Sequence, residues 1–405
     1  MKRTILYIAG LSLLLAAGPV HAELTNKNLP DREGVKLGHS IFHAAYKQEE
    51  QFDSNIFLTD SDTKFDTVTL LNPSFGIDLP LRDNIISADY DCDLNFFGKY
   101  QKQDHIDHRG RALAEFNFTD YKFITKDVYR HFTDRSGSEN TARVKRQTNE
   151  FKTDVSAEFE LLGFDVGYIN RIEDYLSNEI IYQSLTYEDK STVMNIVTAQ
   201  ASYRFMPKTL FLLESDLGFV HYYNSSASPD SWYNETVAGI KGEWFKKINV
   251  NFYAGFRYQD YDKSDIIDSK DFIGPVLRGG FDYYVTDDDT LGVRLERSIY
   301  ESTYNNMNYY NVNLLSIDYI HKFSEKLSVT ASGLYQINLY PGQSTENGVT
   351  AKRYDNFFGG GCGVRYDIRK WLSVEAKYEY KQRLSRFDVF DYIDNLVTLR
   401  GTVGF

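Results

Sequence analysis

The chain has 405 residues, a formal net charge of −12, 25% charged residues, and 31 Tyr and 28 Phe against 8 Pro and 2 Cys. The acidic balance excludes nucleic acid as an expected partner. No apolar run beyond Ala22 reaches the length of a spanning helix, which excludes a helical membrane protein, whereas the wealth of Tyr and Phe favours strands and membrane interfaces.

Lys2 and Arg3 precede the apolar stretch Ile5 to Ala17, and Pro19 to Ala22 supply a break and a small residue before Glu23. Residues 1–22 therefore read as a secretory signal peptide that is cleaved on export. Residues 23–35 are expected to form a short periplasmic segment, and 36–405 a single domain. The first strand is expected in "HSIFHAAYKQEEQF". From there one unit recurs: an alternating run, a few turn residues, then a second alternating run. The turns fall near Arg82, Asp120, Leu162, Lys208, Lys246, Asp288, Glu325 and Lys370. Between the units lie longer polar stretches such as "QKQDHIDHRG", "TDRSGSENTARVKRQTN" and "PGQSTENGVTAK".

Tight turns at one end and long polar loops at the other are the asymmetry of outer-membrane barrels. Counting a strand before the first turn and one after the last gives about eighteen strands, with sixteen as the alternative, since antiparallel closure needs an even number. The expected fold is all-β: a transmembrane, antiparallel, up-and-down β-barrel with short periplasmic turns and long extracellular loops. A repeat of about forty residues also suits a soluble propeller, but the alternating runs are longer than a blade needs.

Phasing assigns the faces. Leu372, Val374, Ala376, Tyr378 and Tyr380 share one face; Ser373, Glu375, Lys377, Glu379 and Lys381 share the other. Cys92 alternates with Ile86, Ala88, Tyr90, Leu94 and Phe96 on a lipid face, and Cys362 with Val364 and Tyr366. Thiols pointing outward from about the third and sixteenth strands cannot meet, so two free cysteines are expected. In the last strand Val397, Leu399, Val403 and Phe405 point outward and Arg400 inward. That strand must close against the first, because an open edge cannot persist in lipid.

The ending, Leu399, Val403 and the terminal Phe405, resembles the sorting signal read by the barrel-assembly machinery, which implies that machinery as a partner. The stretch Tyr46 to Leu79 resembles the opening of the outer-membrane β-barrel family often called the β-barrel porin-2 group. Its aromatic-Asp-Asp/Ser-Asn-Ile/Val-Phe/Tyr motif is met by Phe52, Asp53, Ser54, Asn55, Ile56 and Phe57, and a Pro-x-hydrophobic-Gly step follows in Asn72 to Gly76. Phe52 stands where Tyr is commoner. The resemblance implies a link to exopolysaccharide or capsule production, and so to polymer passage. Read as residues, Asp53-Ser54-Asn55 is a kink or bulge, since these side chains bond nearby backbone.

A barrel of this size leaves an aqueous channel. Its polar faces place the acids Asp89, Asp91, Asp93, Glu158, Glu160, Glu214, Asp216, Glu296, Glu375 and Glu379 in the lumen. The bases are Arg204, Lys241, Arg257, Arg278, Arg294, Arg365, Lys377, Arg383 and Arg400. Acids lean to the early strands and bases to the later ones, so opposed patches and a transverse field are one expectation. Charges that merely satisfy one another are the other. "DHIDHR" (Asp104 to Arg109) reads as an external loop whose spacing matches no zinc pattern. The aspartates Asp260, Asp262, Asp265, Asp268 and Asp271 lack the glycine and final Glu of a calcium loop. His221, Ser225 and Asp230 form the one cluster on which an outer-membrane hydrolase could rest.

The expectation is a porin-like channel, not an enzyme, without metal or cofactor, passing polysaccharide or small polar solutes and contacting outer-membrane lipid and lipopolysaccharide. A plugged or structural barrel in a secretion complex or in adhesion is the alternative, and an outer-membrane hydrolase a minor one. Oligomeric state stays open.

Overall fold

Strict alternation over ten or more residues dictates strands long enough to cross a bilayer when tilted. In the computed structural model, which describes residues 34–404 except 136–137, 225–227 and 268–269, those strands close on themselves. The expected signal peptide, residues 23–33, Ser225, Asp268 and Phe405 lie outside the described residues.

Eighteen antiparallel strands make the ring. They are β1 Ser40–Asp53, β2 Asp66–Leu81, β3 Asn84–Phe97, β4 His105–Asn117, β5 Lys122–Arg135 and β6 Arg143–Glu158. Next come β7 Leu162–Tyr175, β8 Thr192–Met206, β9 Thr209–Tyr222, β10 Ser231–Trp244, β11 Ile248–Tyr261 and β12 Phe272–Tyr284. The last six are β13 Asp289–Glu301, β14 Tyr309–Lys322, β15 Leu327–Glu346, β16 Val349–Arg369, β17 Leu372–Ser385 and β18 Tyr392–Gly404. The ring closes where β18 pairs with β1, from Ala45↔Gly404 to Asp53↔Leu396. A short strand, Val35–Leu37, folds back onto the lower end of β1.

Every expected tight turn is present, at 82–83, 118–121, 159–161, 207–208, 245–247, 285–288, 323–326 and 370–371. Two expected loops are instead strand. "PGQSTENGVTAK" continues β15 and β16 to a two-residue turn at Asn347-Gly348, both with positive φ (49° and 80°). Asn-Gly is the pair that such a hairpin turn selects, because both positions need left-handed backbone. The ladder slips between Leu339 and Gln343; Tyr340 within the slip and Ser344 beyond it are buried. "DHIDHR" is likewise mostly strand, since β4 begins at His105.

The outer face is apolar, and the two cysteines sit on it as expected, both free, on β3 and β16. Around the ring an outward tyrosine bonds a polar side chain on the next strand: Tyr90 with His108, Tyr129 with Gln147, Tyr168 with Asn195, Tyr335 with Asn356 and Tyr378 with Asn395. Phenols that keep one apolar face and one hydrogen bond belong at a membrane interface, so this line marks the upper edge of the hydrocarbon band. Buried apolar clusters lie at the loop end, among them Ile56, Val68 and Phe97, and Tyr304, Met307, Tyr310, Val312 and Tyr340. The barrel is thus packed at its mouth and lined by charge below.

Candidate functional site: a loop laid across the lumen

Each strand presents every second side chain to the lumen, so neighbouring strands stack ionisable groups edge to edge. Arg109 pairs with Asp91 (2.8 Å), Arg111 with Asp89 and Asp91, and Arg171 with Glu150 (2.7 Å). Arg278 bridges Glu214 and Glu235, Arg294 meets Asp282, and Lys377 meets Glu379 (2.9 Å). Arg400 spans the closing seam to Glu49 (2.8 Å) on β1 and to Glu375 (3.1 Å) on β17. Asp93 accepts from Asn72, Arg257 stacks on Tyr233, Arg365 holds Asp367, and Arg204 lies 3.7 Å from Glu158 at the periplasmic rim. Glu160 is not on the wall: it sits exposed in the turn 159–161. The wall does not divide into an acidic and a basic side among the described residues, because Arg109, Arg111, Arg146 and Arg171 bring positive charge into the early strands.

Above this wall residues 138–140, between β5 and β6, lie inward. Their contacts are with β15, β16 and β17, half-way round the ring, so they span the bore. The Ser138 hydroxyl oxygen accepts from Gln336 (3.1 Å) and Asn338 (2.6 Å) on β15. The Glu139 carboxylate accepts from the Ser302 hydroxyl (2.6 Å), and from the Thr303 amide (2.9 Å) and hydroxyl (3.2 Å). The Glu139 carbonyl accepts from Arg353 (2.9 Å) and Arg383 (3.2 Å), and Asn140 donates to Thr303 (2.7 Å).

Arg353 is the keystone of the far wall. Its side chain is fully buried, paired with an equally buried Asp355 (2.7 Å), and enclosed by the rings of Tyr304, Tyr340 and Phe390 at 4.2, 4.8 and 3.8 Å. A guanidinium keeps its charge when buried, so carboxylate, carbonyl and π-faces must replace water. Lys190, in a loop helix, is also buried and donates to the Met307 carbonyl (3.3 Å); burial pushes its ammonium down to about 8. Burial likewise pushes the Glu139 carboxyl up, against the opposing pull of its hydroxyl and amide donors, Arg353 and Lys190.

The motif Phe52 to Phe57 explains how the near end is held. Asp53 ends β1 and accepts from the Asn55 amide (2.8 Å), the kink that the sequence predicts, and here it turns the chain inward. Ser54 and Asn55 then bind β18: the Asn395 amide donates to Ser54 Oγ (2.7 Å), and Asn55 Nδ2 donates to the Ile393 carbonyl (3.0 Å) and to Thr59 (2.8 Å). Ile56 is fully buried, and its carbonyl accepts from Arg135 (2.6 Å) and Arg143 (3.1 Å), the residues at the two ends of the inward loop. Phe57 packs edge-on to Tyr100, and Phe52 points outward. The motif therefore clasps the barrel seam and the base of the loop together. Asn55→Ala should lower stability by about 1–3 kcal/mol, the usual loss when buried partners are left unsatisfied; the urea midpoint of the folded barrel in detergent is the measure.

The other candidates separate. His105 and Asp107 face inward, and His108 faces outward to Tyr90, so the two histidines cannot share an ion. No group of potential metal ligands occurs among the described residues. His221 and Asp230 are bonded (2.6 Å) at the exposed outer rim.

Residues 30–405 match the family described as "Putative beta-barrel porin 2". The chain belongs to that family. The porin-2 barrel matches no curated protein. Among solved structures it is similar to the siderophore receptor PiuA from Acinetobacter baumannii, at 8% identity and a TM-score of 0.49, over 92% of this chain and 82% of that one. It is also similar to Pseudomonas aeruginosa OpdK with vanillate (10%, TM-score 0.48, 90% and 99%) and to Acinetobacter baumannii OccAB4 (11%, TM-score 0.48, 91% and 99%). By family it is a porin-like barrel of the outer membrane.

Proposed function

We propose that this protein is an outer-membrane channel for polar solutes whose bore is set by the inward loop. The carrying observation is the hydrogen-bonded crossing from Ser138 and Glu139 to β15, β16 and β17 above a wall of cross-strand ion pairs. A charged, water-filled wall favours polar passage, and a loop fixed across it limits size. The finer reading follows the family resemblance: an extended polysaccharide or another polar solute is the cargo, and the C-terminal strand is the address read by the assembly machinery. Planar-bilayer recording of refolded protein tests the channel, and oligosaccharide added to one side tests the cargo through transient current blocks. A barrel that stays closed even without its loop would overturn the proposal.

The opposing reading, a permanently plugged barrel, predicts no pH response of the current. The channel reading predicts one, because the Glu139 carboxyl is raised by burial when the loop is docked. A raised acid stabilises the docked state most below its ordinary value near 4.5, and that contribution is lost as pH climbs through the raised value. Conductance should therefore be lowest in acid and grow with pH. Glu139→Gln, which mimics the protonated form, should flatten the acid-to-neutral part of the curve.

A further inference from the structure

Along much of the lumen wall a base stands directly opposite an acid on the next strand, as in Asp91↔Arg109, Glu150↔Arg171, Glu235↔Arg257, Arg278↔Glu296 and Arg365↔Glu375. The lumen face of β5 departs from this. Arg130 stands opposite Arg109 on β4, and Lys126 stands opposite Lys152 on β6. Like charges set directly opposite repel, so each such rung calls for a counter-charge.

Where acids oppose acids, the wall supplies the relief itself. At Asp216↔Glu235, Arg278 reaches Glu235; at Asp93↔Asp107, Asn72 donates to Asp93 and the Thr133 amide donates to Asp107 (2.8 Å). On β5 the relief is one-sided. Arg109 is held by Asp91 (2.8 Å) and Lys152 by Asp154 (3.3 Å). Arg130 and Lys126 have neither an ion pair nor a side-chain hydrogen bond among the described residues. The nearby acids are engaged, Asp89 with Arg111 and Glu150 with Arg171. Arg130 is exposed although it shares the lumen face with Arg109, and Lys126 is half-buried four residues below it, about 13 Å along the strand. Both lie beneath the inward loop, because β5 rises to that loop at Arg135. The missing counter-charge is left to whatever occupies the bore.

We propose that Arg130 and Lys126 form an anion track under the loop, and that the solute it takes is an oligosaccharide carrying carboxylates. This rests on the channel reading and narrows its polar cargo to an anionic one. Arg130 offers a planar fork to one carboxylate, and Lys126 offers a point charge to a second. Unpaired charge of one sign on a low-dielectric wall concentrates solutes of the other sign beside it. A neutral sugar gains nothing from either base.

Calorimetric titration of the full refolded barrel in detergent with hexagalacturonate reads the track whether or not current flows. Binding is expected at low salt and should weaken as salt rises, with none for maltohexaose at the same concentrations. Arg130→Gln with Lys126→Gln should weaken it several-fold. Arg130→Lys with Lys126→Arg, which keeps both charges, should retain most of it. In bilayers the neutral pair should also move the reversal potential in a salt gradient toward cations and shorten the current blocks by hexagalacturonate. Equal binding of the two sugars, or binding that the neutral pair leaves unchanged, would overturn the track. A barrel that binds hexagalacturonate through these bases yet stays closed would overturn the channel and leave the track standing. A conducting barrel that binds neither sugar would do the reverse.

Discussion

Replacing residues 136–141 by a two-glycine link is expected to raise single-channel conductance several-fold while leaving the barrel folded. Residues 138–141 lie outside any strand and the β5–β6 ladder ends at Arg135↔Arg143, so the link leaves that ladder intact. It does remove Ser138, Glu139 and Asn140 from the bore, and with them the bonds to Gln336, Asn338, Ser302 and Thr303. Arg353 retains its bidentate bond to Asp355, while Arg353 and Arg383 exchange the loop carbonyls they held for the water that fills the new space. Pore current scales with the narrowest free section, which the proposed function puts where the loop crosses. An unchanged conductance would place the limiting constriction elsewhere, among the mouth loops around Lys190 and Met307. A folded barrel can be verified independently by its heat-modifiable gel mobility.

The strands and their faces were legible because a barrel wall in lipid permits little else: one side must be apolar and the other hydrated, with a period of two. Cys92 and Cys362 could be placed outward on that basis alone, and Arg400 inward. The closing of β18 on β1 followed from the same reasoning. The constriction was not legible. A polar stretch containing Ser138 and Glu139 looks alike whether it stands in water outside the barrel or crosses the bore. Its partners Ser302, Gln336, Arg353 and Arg383 are distant in sequence, and no local pattern encodes that meeting. Arg383 was phased inward correctly, but as a lumen charge and not as an anchor.

The expectation of segregated charge failed for a different reason. Cross-strand pairing sets many bases opposite an acid of the neighbouring strand, as with Arg111 and Asp89, so a tally along the chain says little about the map around the ring. One missed feature did carry a signal. Asn347-Gly348 between alternating runs marks a two-residue hairpin, and reading it would have extended β15 and β16 and brought Arg353 onto a strand beside Asp355.

Arg353→Met should destabilise the barrel by about 3–5 kcal/mol, the usual result of removing one partner of a fully buried ion pair. Methionine keeps most of the stem volume between Tyr304, Tyr340 and Phe390, so the loss is mainly electrostatic. Asp355 would stay buried with the Ser385 hydroxyl (2.6 Å) as its remaining side-chain donor. The Glu139 carbonyl would lose one of its two guanidinium donors, so the loop should also undock more readily and conductance should rise. The double variant Arg353→Met, Asp355→Leu separates these effects. Most of the stability should return, because a well-packed apolar pair replaces a buried ion pair at little net cost, whereas the conductance should stay high, because the loop's anchor is still missing. Urea midpoints of the refolded barrels give the first quantity and bilayer recordings the second. If stability and conductance recovered together, Arg353 would be holding the wall alone, and the loop would owe its place to Arg383 and the Glu139 carboxylate.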